Sequence, residues 1–256
     1  MAEQKQHSAP LAEELLLIRA ALRYFTGLPW PGGVSFSQER LDRSIRYLPL
    51  VGILVGLATG AAYLLAAVLW PAPVAVAVAM AAGAALTGGF HEDGLADFCD
   101  GFFVARDREA TLEIMKDPRL GSHGVLGLVL ALILRFAALA SLAQYRVFPA
   151  LLAAHAFSRL LTLAAMRGLP YARSDGGAPK PATVSLGTAG MVVAGACGLL
   201  PLLLVWRGAV PAALAASAVA LALAWLCRRR IGGYTGDCLG AIQQASEIAF
   251  YLGVLA

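Results

Sequence analysis

Long uncharged apolar runs, separated by short polar segments, set the rhythm of this chain. Residues 47–69 carry no charge for 23 positions, and about 20 apolar residues suffice for a helix to cross a bilayer. Further runs occupy 71–90, 124–145 and 147–166, then lie within 181–206 and 208–227; a last, weaker one lies within 231–256. Arg135 interrupts the third run, Arg159 the fourth and Glu247 the last. The pattern predicts about seven transmembrane helices. Before the first of them, Leu11, Leu15, Ile18, Leu22 and Phe25 recur at helical spacing with Arg19 and Arg23 elsewhere, which predicts an amphipathic interfacial helix. Gly52, Gly56 and Gly60, four apart, form a seam for close helix packing. The expected fold is all-α, a polytopic membrane helical bundle in one domain over residues 1–256, with no repeat of helical-array period.

Composition agrees with this reading. The chain is 59% hydrophobic and 14% charged, where soluble domains carry about 25% charged residues. Charge placement supplies an orientation. Seven spans put 16 of the 20 Lys and Arg on one side and only Arg146 and Arg207 on the other, so the first side is expected to be cytoplasmic. All the acids except Glu247 fall there too, so that face is nearly neutral and no nucleic-acid partner is expected. The mixed charge ahead of the first apolar run predicts no cleavable signal peptide. Cys99, Cys197, Cys227 and Cys238 lack zinc-like spacing and read as packed thiols.

The candidate chemistry is concentrated at residues 87–100, TGGFHEDGLADFCD. On a helix, Asp93, Asp97 and Asp100 fall within about 60° of one another. Acids are favoured at helix starts, but aligned carboxylates repel unless a cation, a proton or arginines sit among them. Magnesium commonly joins one or two carboxylates to substrate phosphates, so the stretch predicts a magnesium–phosphate site. His91, next to these acids, is placed to contact phosphate or take a proton. Residues 105–124 add Arg106, Lys116, Arg119 and His123 as candidates for phosphate oxygens, although cytoplasmic loops are basic in any case. Glycines and Thr235 ahead of Asp237 form a helix start suited to phosphate, Asp237 being a further candidate metal ligand. Gly236 and Gly240 would serve equally as a packing pair. Arg135 and Glu247 lie at similar depth, roughly 15 Å from their helix ends, and are expected to pair. Arg159, nearer the cytoplasm, is expected to face substrate.

These residues resemble the cobalamin synthase (adenosylcobinamide-GDP ribazoletransferase) family. The resemblance is carried by TGGFHEDGLAD at 87–97, CDG at 99–101, LEIMKDPRLG at 112–121, PYAR at 170–173 and TGDCLGA at 235–241, with Arg43-Ser44-x-Arg46 before the first span. Gly27 departs from it, standing where that segment carries arginine. The resemblance implies an enzyme of the bacterial cytoplasmic (inner) membrane, magnesium as cofactor, and adenosylcobinamide-GDP and α-ribazole (or its 5′-phosphate) as substrates. It also implies release of GMP and formation of adenosylcobalamin or its 5′-phosphate. On this reading Asp93, Asp97 and Asp100 bind metal or activate the nucleophile. The bilayer is the expected surrounding, and a homo-oligomer is compatible with the pattern. Two other readings compete. In the CDP-alcohol phosphotransferase motif D-x-x-D-G-x-x-A-R, Asp97-x-x-Asp100-Gly101 matches, but Ala105-Arg106 falls one residue late. A cation-coupled transporter would place its acids near mid-bilayer within related halves.

Overall fold

The computed structural model describes residues 10–27, 38–173 and 186–256. The prolines and glycines at 29–33, His7 and the second half of the polar loop at 167–180 lie outside them. Helix α1 (Pro10–Phe25) is the expected amphipathic element: Leu17, Ala21, Leu22 and Phe25 are buried against Tyr47, Leu48, Val51 and Val55. Leu11 and Leu15, by contrast, are exposed, apolar side chains suited to a lipid surface. Helix α2 (Gln38–Ser44) runs through a 3₁₀ turn into α3 (Leu48–Ala67). Arg43 and Arg46 there pair with Glu13 and Glu14 of α1 at 2.5 and 2.6 Å, and the Tyr47 hydroxyl donates to Glu14.

The apolar runs become helices, with two departures from the expected spans. Among the described residues, five helical stretches are long and apolar enough to cross a membrane: Glu39–Ala67, Ser122–Ala140, Gln144–Gly168, Trp206–Ile231 and Gly236–Leu255. These contain α3, α7 (Ser122–Ala140), α8 (Gln144–Gly168), α10 (Ala209–Ile231) and α11 (Gly236–Leu255). The second run instead forms α4 (Ala72–Thr87), which stops at Gly88-Gly89 and bends 89° into α5 (Phe90–Val104). In the fifth, the apolar helix Thr188–Leu204 is shorter, because α9 (Thr188–Leu199) tightens to 3₁₀ turns around Pro201. Proline lacks the N–H that would continue an α-helical ladder. A short helix, α6 (Arg108–Ile114), follows α5.

α8 and α11 form the centre of the bundle, 72% and 78% buried along their most apolar windows, whereas α7 and α10 are 22% buried and present their sides outward. The Gly52 and Gly56 seam packs α3 directly on α8. A Cβ added at Gly52 would lie 2.2 Å from the His155 carbonyl oxygen, and one at Gly56 2.7 Å from the Leu152 Cα. Backbone-to-backbone approach of this kind is how small residues hold membrane helices together without a hydrophobic drive between them.

The expected mid-depth pair is present within a larger buried network. Arg135 of α7 lies 2.8 Å from Glu247 of α11, and both are almost wholly buried. The Nδ1 of His155 is 2.9 Å from the same carboxylate, and Gln243 and Tyr251 donate to it at 2.6 and 3.1 Å. Spacings of four residues, Gln243–Glu247–Tyr251 on α11 and His155–Arg159 on α8, turn these polar groups onto the facing sides of the two helices. Arg159 differs from its expected outlook on substrate. It is 1% exposed, donates to the His155 carbonyl at 3.1 Å and lies 4.0 Å from Glu247, so the bundle interior holds it.

Candidate active site

The α4–α5 bend opens the site. Gly88 and Gly89 both have positive φ, +66° and +69°, a conformation that costs glycine little and other residues much. With two such residues in succession the chain reverses sharply instead of extending α4. α5 is thereby turned back along α7, from Glu92 3.7 Å from Arg135 to Asp100 at the Gly121 and Gly124 N–H groups, and Asp93 and Asp97 face a cavity.

Glycine also sets the opposite wall. α5 crosses α11 where Gly94 meets Gly240. A Cβ on Gly94 would stand 3.1 Å from the Asp237 Cα, and one on Gly240 2.9 Å from the His91 carbonyl oxygen. Of the small-residue pair read from the sequence, Gly240 packs against Gly94 of α5 and so brings Asp237 beside the acids of α5, whereas a Cβ on Gly236 would meet nothing within 4 Å. Thr235 is fully buried: its hydroxyl accepts from the Cys238 N–H at 3.3 Å, capping α11, and donates to Asp237 Oδ2 at 3.2 Å. Arg173 donates to the same oxygen at 2.9 Å. An isolated bridge between Tyr171 and Tyr234 holds Arg173's segment in place, with Ala172 N–H donating to the Tyr234 carbonyl at 2.9 Å.

Two cavities meet at this point. The larger, about 640 Å³, is walled by the Gly88-Gly89 turn, Asp93, Asp97, Leu120 and Leu128. The smaller, about 240 Å³, is walled mainly by aromatic and aliphatic side chains, with Asp42, Arg173 and Asp237 among them. Asp93, Tyr24 and Phe90 belong to both. Asp97 feels its surroundings strongly. Burial first, then the charges of Asp237, Asp93 and Asp100, push its carboxyl up to about 6, with Arg173 opposing. Such a carboxylate invites a proton or a cation.

Asp100, aligned with Asp93 and Asp97 on a helical wheel, is used differently. It is buried, and its two oxygens accept the Gly121 and Gly124 N–H groups at 2.7 and 2.8 Å. It thus satisfies the open donors at the start of α7. A Cβ at either glycine would come within 2.3 Å of an Asp100 oxygen, which accounts for both glycines. His91 is buried and lines the smaller cavity, edge-on to Phe90. Arg106, Lys116, Arg119 and His123 are exposed, and none lines either cavity. Arg119 pairs with Asp117 at 2.6 Å, and its hydrogen bonds hold that carboxyl down to about 2; His123 stacks on Phe103. Among the described residues, no three His, Cys, Asp or Glu side chains converge closely enough to hold a metal ion by themselves.

Arg173, in the PYAR stretch, is a site residue to which the sequence by itself assigns no role. The arginine two residues after Tyr171, beyond the fourth apolar run, is the one local signal. Asp42 and the aromatic walls carried none, because their elements are distant in sequence.

Comparison with known proteins places the chain. The family model described as cobalamin-5-phosphate synthase matches residues 17–255. An adenosylcobinamide-GDP ribazoletransferase of Leptothrix cholodnii is 45% identical, over 97% of this chain and 98% of the relative. Proteins of the same name from Shewanella amazonensis and Ralstonia pickettii are 44% and 42% identical, covering 94% and 96% of this chain and 95% and 97% of their own lengths. No solved structure matches the chain. With α5, its acids and the α11 start all inside the matched region, the chain belongs to the cobalamin-5-phosphate synthase family.

Proposed function

We propose that this chain joins α-ribazole, or its 5′-phosphate, to adenosylcobinamide-GDP with release of GMP, in the bacterial cytoplasmic membrane and on its cytoplasmic side. The observation that carries the reading is the pair of carboxylates, Asp93 and Asp97, facing an open cavity of about 640 Å³ with room for a diphosphate. The full-length likeness to adenosylcobinamide-GDP ribazoletransferases supports the choice of substrates. The charge asymmetry of the apolar runs supports the orientation.

A ribose hydroxyl oxygen attacks the cobinamide-linked phosphorus. A new P–O bond forms, the bond to the oxygen bridging to GMP breaks, and the hydroxyl proton passes to an aspartate and then to solvent. Phosphoryl transfer asks mainly for positioning and charge neutralisation. The donor set fits magnesium: Asp93 and Asp97 line the larger cavity and Asp93 and Asp237 the smaller, so these carboxylates would supply oxygen donors where the two meet, and the ion would take its remaining ligands from phosphate and water. Magnesium bound there would neutralise part of the diphosphate charge. Arg173 holds Asp237 in position, and Asp100 fixes α7 against α5 so that Asp97 keeps its direction.

The test is GMP release from adenosylcobinamide-GDP in the presence of α-ribazole, with and without magnesium. Wild type should depend on the ion, and Asp93→Asn should lose on the order of 10²–10⁴ in rate. Turnover that survives both magnesium removal and Asp93→Asn refutes the metal assignment.

A further inference from the structure

We propose that the smaller cavity seats the aromatic base of the incoming nucleoside, while the larger one receives the diphosphate donor. The assignment rests on the ribazoletransferase reading above and adds to it which substrate goes where. The two cavities differ in the properties that separate the two substrates. The smaller is about 240 Å³, too small for a corrinoid, and Tyr24, Phe90, Tyr171, Tyr234 and Leu239 give it faces on which a flat ring can stack. The rings of Tyr171 and Tyr234 already meet edge-on at 5.5 Å, and aromatic pairs of this kind favour offset or edge contacts with a third ring. The larger is about 640 Å³ and open, carries Asp93 and Asp97, and shares Tyr24 and Phe90 but has neither Tyr171 nor Tyr234. A mostly apolar pocket with a few convergent polar groups is the usual form of a small-molecule site. Here Asp42, Asp237 and Arg173 are those groups, suited to sugar hydroxyls.

The partition explains Asp93. It lines both cavities, so a nucleoside whose base lies in the smaller one presents its ribose at Asp93, on the side facing the donor's phosphorus. The guanine of the donor is the competing occupant of an aromatic slot. Asp42 and Asp237 would accept from its N–H edge, so loss of donor binding in Leu239→Trp is the outcome that would seat guanine there instead.

Equilibrium dialysis of wild type in detergent, with magnesium, against labelled α-ribazole and separately against adenosylcobinamide-GDP tests the assignment without turnover. Leu239→Trp fills the smaller cavity and Leu128→Trp the larger. The expected pattern is crossed. Leu239→Trp weakens α-ribazole binding at least tenfold and leaves the donor within twofold, and Leu128→Trp does the reverse. Tyr171→Leu, which removes an aromatic wall without adding bulk, should weaken α-ribazole alone and covers the case in which Leu239→Trp fails to fold. Any uncrossed pattern, including donor loss in Leu239→Trp, overturns the assignment. If the crossed pattern appears but wild type releases no GMP, the cavity assignment stands and the reaction reading fails.

Discussion

Glu247 should be the most costly side chain to remove from the bundle, and its cost should not add to that of Arg135. Truncating Arg135 removes the cation 2.8 Å from the carboxylate, yet His155, Gln243 and Tyr251 still donate to Glu247, and Arg159 remains at 4.0 Å. Breaking a buried ion pair costs about 3–5 kcal/mol, and Arg135→Ala belongs at the low end because the anion keeps these partners. Glu247→Ala leaves two buried guanidiniums, with Glu92 the nearest remaining acid at 3.7 Å from Arg135. It belongs at the upper end, about 5 kcal/mol. In the double variant one of the two orphaned charges is gone, so its loss should fall short of the sum by about 2 kcal/mol. Unfolding in mild detergent can be followed by thiol labelling, since Cys99, Cys227 and Cys238 are buried and unpaired. Additivity within about 0.5 kcal/mol would show that Arg135 and Glu247 do not act as a pair, and an Arg135→Ala loss larger than that of Glu247→Ala would refute the network's asymmetry.

Three further outcomes follow from the site. Because the Asp97 carboxyl is raised to about 6, it carries a proton below that pH which an entering cation must displace. Magnesium affinity measured by calorimetry should therefore fall by about tenfold per pH unit below about 6 and level off above it, and Asp97→Asn should abolish the slope; a slope retained in that variant assigns the proton to another group. Asp100→Ala leaves the Gly121 and Gly124 N–H groups without their acceptor and should cost about 1–2 kcal/mol in thermal unfolding; unchanged stability would remove its role as the α7 anchor. Gly240→Ala pushes a methyl to within 2.9 Å of the His91 carbonyl oxygen, so it should lower GMP release more than Gly195→Ala, whose Cβ meets nothing within 4 Å; equal effects would show that the α5–α11 approach is not what sets the site.

Much of this was legible in the residue order, and the gaps have physical causes. Arg135 and Glu247 could be paired because opposite charges at matching depth in neighbouring apolar runs have few other places to go. The acidic stretch could be recognised because its carboxylates exceed what a helix start needs. The run count went further than the structure because hydropathy is blind to backbone. Gly88-Gly89 and Pro201 are apolar or neutral, yet each ends an α-helix. The shared direction of Asp93, Asp97 and Asp100 concealed different uses, since a helical wheel gives an angle and not a partner. The Asp100 partners lie 21 and 24 residues further on. The Arg173–Asp237 pair spans 64 residues, beyond any local pattern.

The placement of the acids depends on backbone geometry before it depends on charge. If α4 continued straight, the residues from 90 to 104 would carry three aspartates on into the bundle's apolar surroundings, where each uncompensated ion costs several kcal/mol. The double-glycine bend turns that segment through 89°, so its charges are spent along a cavity instead. The Gly94–Gly240 crossing then draws α11 close enough for Asp237 to raise Asp97. Larger residues at this crossing would hold the helices apart, and Coulomb energy falls with distance, so the same four aspartates would lose the mutual repulsion that makes a cation favourable there. Glycine thus sets how closely the four aspartates approach one another even though it offers no ligand, and the region's chemistry should respond to methyl-sized changes at positions such as Gly240.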